Sequence, residues 1–253
     1  KMNAAIDSEE AYDIRSHLHN IYEYLFDGSI GAPVIEKLQN GAKVSPEYPN
    51  TAFYGADSIT PNSNGNITYI ECNLLEKLPF PDEEFDYIFS RDYVNFFKND
   101  GFHGFLSEVI RILKPGGWFE VAFSARQILD GGPAFPLWNS AWLSWFKSNN
   151  INNDFMLHLE DYLQKTQKFE CIEHQTAKFF LGKGNNEMGE FAEDFFFHVL
   201  KNLKVHLLPY LGISNNAYDD LVKEIEIDLK SGKSKPYNCY HRIFGKKKEL
   251  LDK

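Results

Sequence analysis

Cysteine is scarce in this chain. Cys72, Cys171 and Cys239 are the only three in 253 residues, odd in number and far apart. No disulfide framework is implied, no pair has metal-ligand spacing, and a reducing compartment fits best. No apolar run reaches the roughly eighteen residues that a membrane helix needs, so no membrane span is expected. The first residues lack the apolar core of a signal peptide. With the cysteine count, that leads to an expected cytoplasmic location. The chain begins with Lys1 rather than Met, as a fragment or an imperfect gene model would.

Positive charge is also in short supply. Lys and Arg number 26 against 36 Asp and Glu, for a net charge of −10. Such a chain repels phosphate backbones, so nucleic acid is not an expected partner and a small molecule is. The one basic run, Lys246-Lys247-Lys248, reads as a solvated terminus. The eight histidines offer no ligand pair on one helix face. His17 and His19 are two apart and point in different directions. No metal site is expected. No GxSxG, HExxH or Walker-type loop occurs, which removes support for serine hydrolase, metalloprotease and P-loop chemistry.

What is plentiful is apolar and aromatic. Hydrophobic residues make up 43% of the chain, with 22 Phe and 13 Tyr. That is enough for a sizeable core in one α/β domain. Helical spacing of Ile14, Leu18, Ile21, Tyr22 and Leu25 predicts a helix over Ala4–Phe26, and a second is expected over Ala32–Leu38. Thr51–Ala56 and Asn66–Glu71 read as strands, the first of them buried. Phe85–Ser90 and Trp118–Phe123 are further strands, on either side of a helix over Gly104–Leu113. Helices are then expected over Pro136–Lys147, Phe155–Gln164, Glu187–Leu208 and Ala217–Lys230. A strand lies within Phe169–Leu181, and an alternating one over Tyr237–Phe244 closes the fold. Strands separated by helices predict a mainly parallel sheet with helices on both faces. Tyr22, Phe26 and the aromatic segment Phe135–Phe146 are candidates to cover a pocket.

In open α/β sheets, ligands bind outside the carboxyl ends of the strands. Asp57 ends a predicted strand, where a carboxylate can accept both hydroxyl hydrogens of a ribose or simply cap a turn. Asn73 follows the next strand. Its amide can meet the polar edge of adenine, with Leu74 on the ring face, or it can satisfy its own turn. Ser90, Arg91 and Asp92 follow a third strand. Arg91 can hold an acidic substrate group, but a salt bridge with Asp92 or Glu84 is the stronger reading. In Lys114-Pro115-Gly116-Gly117, Pro stops the helix and the glycines reverse the chain.

Four segments, FYGAD, NITYIECNLL, LPFPDEEFDYIFSRD and LSEVIRILKPGGWFEV, together resemble the class I S-adenosylmethionine (SAM)-dependent methyltransferases, in particular the fungal methyltransferase-domain proteins. Ala32-Pro33-Val34, LLPYLGISNNAYDDLVKEIEIDL and NCYHRIFGKK extend the likeness over most of the chain. The resemblance implies a Rossmann-like α/β sheet, mostly parallel with a last antiparallel strand, in a single domain over 1–253. Residues 1–40 would be a helical cap, 41–125 the Rossmann-like core, and 126–253 helical additions and the last strands. It also implies SAM as cofactor: Asp57 on its ribose, Asn73 and Leu74 on its adenine, and Ser90 beside its methionine part. No residue is assigned a catalytic role.

One departure matters. The family places a strand and a glycine-rich loop, roughly (D/E)xGxGxG, before its first helix. Here GAKV runs directly into SPEYPNTAFYGAD, and Gly41–Asp57 is too short for strand, loop, helix and second strand. A truncated first strand and first helix are therefore expected. They would follow either from an error at the Val44–Ser45 junction or from descent into a non-catalytic binding module. A nucleotide-binding oxidoreductase also needs a glycine fingerprint, and LPFPD…LKPGG argues against it.

Overall fold

A computed structural model of the chain describes residues 19–28, 30–34, 52–57, 67–92, 101–151, 157–183 and 187–249. Among the described residues, helix α1 (19–26) comes first. Strands β1 (Phe53–Asp57), β2 (Ile67–Glu71) and β3 (Phe85–Arg91) follow, then α2 (Gly101–Ile112) and the long strand β4 (Leu113–Leu129). After these come α3 (Ala134–Ser148), α4 (Leu159–Lys165), β5 (Phe169–Phe180), α5 (Glu187–Leu211), α6 (Asn215–Ser231) and β6 (Tyr237–Lys247).

Among the described residues the strands form two sheets, β1-β2 and β3-β4-β6-β5. β1 and β2 are parallel, with Asp57 opposite Glu71, and β3 and β4 are parallel, with Ser90 opposite Val121. β6 runs the other way. Trp118 meets Phe244, Glu120 meets Arg242 and Phe123 meets His241, so numbers rise on β4 as they fall on β6. The same holds against β5, where Glu170 faces Lys246 and Phe180 faces Tyr237. The last strand in sequence is thus an interior strand of its sheet. This explains why Tyr240–Gly245 are all buried instead of alternating as expected.

Two compact units are present. The first combines Lys1–Ser29, Phe123–Asn153 and Gln175–His241, and the second Ile30–Ala122, Asp154–His174 and Arg242–Lys253. In the first, Phe135, Trp138 and Phe146 of α3 are buried together with Leu200 and Leu207 of α5 and Ile225 of α6. Tyr22 is also buried, edge-on to Tyr240. Tyr22, Trp138 and Phe146 are core material. In the second unit, Phe102, Phe105 and Val109 of α2 are buried with Phe119 of β4 and Phe169 of β5.

Three expectations change. The buried strand expected at Thr51–Ala56 is shallow, with Tyr54 44% exposed. The described start of the expected Ala32–Leu38 helix, 32–34, is a bend; residues 35–38 lie outside the described residues, as does the Val44–Ser45 junction. β4 begins at Leu113 and continues to Leu129, beyond the expected Trp118–Phe123. Lys114–Gly117 form a local irregularity in its pairing, between Phe85↔Leu113 and Tyr87↔Trp118.

Candidate functional site

The carboxyl ends of β1, β2 and β3 carry the residues singled out above. Asp57 is the last residue of β1. Asn73 and Leu74 lie just beyond β2, Asn73 exposed and Leu74 buried. The Asn73 Oδ1 accepts from the Leu75 N–H at 3.1 Å, and its Nδ2 donates to Glu76 Oε1 at 2.8 Å. The side chain therefore builds its own turn, as one of its two sequence readings held. Among the described residues these bonds leave Oδ1 one acceptor position and Nδ2 one hydrogen, the groups that an adenine edge would meet. Ser90 is half-buried near the end of β3. The Asp92 N–H donates to Ala122 O at 2.8 Å, which extends the β3–β4 contact past Arg91.

The LPFPDEE turn is held by one side chain. Arg111 Nε donates to Glu108 Oε1 at 3.0 Å. Nη1 donates to Phe80 O and Asp82 Oδ1, both at 2.8 Å, and Nη2 to Leu78 O at 3.0 Å and Glu108 Oε2 at 2.7 Å. A guanidinium has five N–H donors, and five bonds occupy them. Glu108 Oε2 also accepts the Leu78 N–H at 2.7 Å. The hydrogen bond from Arg111 is the main cause that holds the Glu108 carboxyl below its usual range. LSEVIRI thus keeps its Glu and Arg, three apart on α2, to grip the preceding loop.

The LKPGG turn has equally local causes. Gly116 has φ +74°, and a Cβ on Gly117 would lie 2.9 Å from both Leu113 Cδ1 and Lys114 O. Lys247 from β6 donates to Ile110 O at 2.8 Å and Leu113 O at 2.6 Å, satisfying carbonyls where α2 passes into β4.

The sequence reading missed Glu120. It is fully buried in β4, beside Tyr87 of β3 and the buried Arg242 of β6. Its carboxylate accepts the Gly31 N–H at 3.0 Å, the Ala32 N–H at 2.8 Å and the Tyr87 hydroxyl at 3.0 Å. Arg242 Nε lies 3.3 Å from Oε1, an ion-pair contact without aligned hydrogen-bond geometry. Burial pushes the Glu120 carboxyl above its usual range, against the lowering effect of those N–H groups and of Arg242. Burial also raises Tyr87, with the Glu120 charge adding to it. A Cβ on Gly31 would collide with Arg242 Cδ, so the chain must be glycine there. Glu120 thereby seats Ile30–Val34, with Ala32 and Val34 packed on Phe244. The available signals were a lone acid in WFEVAF and an arginine in YHRIF.

Among the described residues, no group of three or more His, Cys, Asp or Glu could hold a metal ion, and no helix is long and apolar enough to cross a membrane.

Parallel strands with acidic and polar residues at their carboxyl ends mark the chain as an α/β protein, and it is at such ends that open α/β sheets bind their ligands. Residues 51–121 match the family model described as "Methyltransferase domain". This segment, under a third of the chain, carries its likeness to the class I SAM-dependent methyltransferases. Three solved structures illustrate the wider likeness. Haemonchus contortus phosphoethanolamine N-methyltransferase 2 is 21% identical over 74% of this chain and 38% of its own, with a TM-score of 0.41. The YcgJ protein of Bacillus subtilis is 16% identical over 73% of both chains, with a TM-score of 0.36. The PH0226 protein of Pyrococcus horikoshii is 31% identical over 24% of this chain and 28% of its own, with a TM-score of 0.23. The chain thus spans about 38% of the length of the Haemonchus enzyme. No curated protein matches the chain.

Proposed function

We propose that the chain is a methyltransferase-like protein whose chemistry is methyl transfer from SAM to a small-molecule acceptor. The match over residues 51–121 carries this reading. In it, Asp57 accepts the ribose hydroxyls, Asn73 and Leu74 meet the adenine, and Ser90 stands by the methionine part. The cofactor supplies an electrophilic methyl group. The protein contributes proximity and orientation, which do not require a dedicated base. The net charge of −10 favours a small acceptor over nucleic acid.

The shortness of Gly41–Asp57 favours a second reading, a non-catalytic binding module of the same fold. Without glycines, no backbone can approach the cofactor closely. The chain as written should therefore bind SAM no tighter than about millimolar, roughly −4 kcal/mol. Titration calorimetry checks this, and micromolar binding would sink it. A companion chain with a glycine-rich strand, loop and helix inserted between Val44 and Ser45 separates the two readings. Micromolar binding, lost again in Asp57→Ala, supports the methyltransferase. Continued failure to bind supports the module. Unchanged affinity in Asp57→Ala would remove the ribose assignment.

A further inference from the structure

A cavity of about 440 Å³ opens where β4 ends and α3 begins, lined by Gln127, Leu129, Asp130, Pro136, Ser140 and Leu143 among others. All of its lining belongs to the first unit and none of it coincides with Asp57, Asn73, Leu74 or Ser90. The volume lies within the usual range for small-molecule sites, roughly 300–1,000 Å³.

Its walls are pinned. Asn139 on α3 grips the backbone of Ile128 twice, donating to its carbonyl at 2.7 Å and accepting its N–H at 3.1 Å. The Gly132 N–H, at the end of the rim turn, donates to Asp228 Oδ2 on α6 at 2.9 Å, and the Phe135 N–H returns to Gly132 O at 3.1 Å. Ser234 also donates to Asp228 Oδ2. A Cβ on Gly131 would collide with the Phe135 ring, so the turn lies directly on that side chain. Polar side chains from α3 and α6 are thus committed to keeping the turn in place, and the cavity is largely preformed.

Its chemistry has one sign. Among the described residues that line it, Asp130 alone carries a charge. Leu129, Phe135, Pro136 and Leu143 supply apolar wall, and Gln127 and Ser140 supply neutral hydrogen-bonding groups. An anion entering here would meet, among the described lining residues, a carboxylate and no cation. An ammonium on an apolar body would find a counter-charge and a surface to cover, the pairing that a partly desolvated charge requires. The chain's net charge of −10 draws cations toward it. We infer that this cavity is a binding site for a small organic amine with an apolar body, with Asp130 as its counter-ion. The inference does not depend on SAM binding.

Calorimetry without SAM tests it, using benzylammonium, benzyl alcohol and benzoate as probes of equal size and different charge. Benzylammonium should bind at millimolar or better, about tenfold or more tighter than benzyl alcohol, with benzoate weakest. Asp130→Asn should bring benzylammonium down to the level of benzyl alcohol; Asn tolerates the φ of +55° found there. Ser140→Phe, at an exposed helix position, should fill the cavity and abolish both. Benzoate binding as well as benzylammonium would overturn the proposal. So would an unchanged affinity in Asp130→Asn or in Ser140→Phe, or no benzylammonium binding at all.

Discussion

The two sheets were built with unequal support. In β3-β4-β6-β5, Phe119, Val121 and Ile243 have no exposed surface, and a buried Glu120–Arg242 pair sits among them. In β1-β2, residues 53–56 and 67–71 are half-buried or exposed, and Tyr54 leans on Phe80 and Phe85 at ring distances of 6.0 and 5.6 Å. The difference lies in what surrounds each strand. The signature from Leu78 to Phe123 carries its own fixings: Arg111 for the loop, Gly116 and Gly117 for the turn, and Glu120 for the incoming segment. The shallow sheet lies immediately after the stretch where a strand, loop and helix are expected and the sequence is too short for them. A parallel strand reads as continuously apolar only when both faces are covered.

The largest expected effect tests the deep sheet. Glu120→Ala leaves the N–H groups of Gly31 and Ala32, the Tyr87 hydroxyl and the Arg242 guanidinium facing a void. Breaking a buried pair in this way costs about 3–5 kcal/mol. Urea unfolding measures it. A loss below about 1 kcal/mol would mean that the charged groups and Ile30–Val34 settle elsewhere, and the contrast between the sheets would weaken.

Next is the grip on the LPFPDEE turn. Arg111→Lys keeps the charge but replaces a planar fork of five donors with a rotating ammonium of three. Leu78 O, Phe80 O, Asp82 and Glu108 cannot all be served, and a loss of about 2–3 kcal/mol is expected by thermal or urea unfolding. Wild-type stability in this variant would show that charge alone holds the turn, and that LSEVIRI needs no arginine.

These cases mark what the sequence made legible. Helices α2, α3, α5 and α6 were visible because their apolar residues recur at helical spacing, and the LKPGG turn because Pro and Gly have few alternatives. The resemblance anticipated the antiparallel last strand, but not how deeply it is buried. Glu120 was not legible because its partners at Gly31 and Ala32 lie 89 and 88 positions away. The same contact accounts for the described start of the expected Ala32–Leu38 helix: those N–H groups turn to a buried carboxylate, and 32–34 bends. At Asn73 both roles were readable, and the structure shows the local turn without closing the other. Residues 41–51, where the glycine-rich loop is expected and not found in the sequence, lie outside the described part.

The shallow sheet can be probed directly. Tyr54→Ala removes two edge-to-face ring contacts from a side chain that is already 44% exposed. Such pairs contribute about 0.5–1.5 kcal/mol, and the exposed position places this one near the lower end. Phe119→Ala, in β4 with no exposed surface, should cost about 3–5 kcal/mol. Comparable losses from the two substitutions, measured in one urea series, would erase the distinction between the sheets.

The smallest effect concerns acid. Glu108 titrates below its usual range because Arg111 and the Leu78 N–H favour its charged form. A carboxyl whose folded pKa is depressed contributes stability above its unfolded pKa and loses it as pH falls through the folded value. Glu120 is shifted the opposite way by burial. Its contribution is full below the unfolded pKa and disappears as pH rises through the raised folded value. The two effects therefore fall on opposite sides of the usual carboxylate pKa of 4.5. Stability measured by urea unfolding from about pH 3 to 6 should fall on the acid side in the wild type and fall less steeply there in Glu108→Gln. An unchanged acid slope in that variant would show that the bonds from Arg111 to Glu108 position the turn without favouring the charged carboxylate.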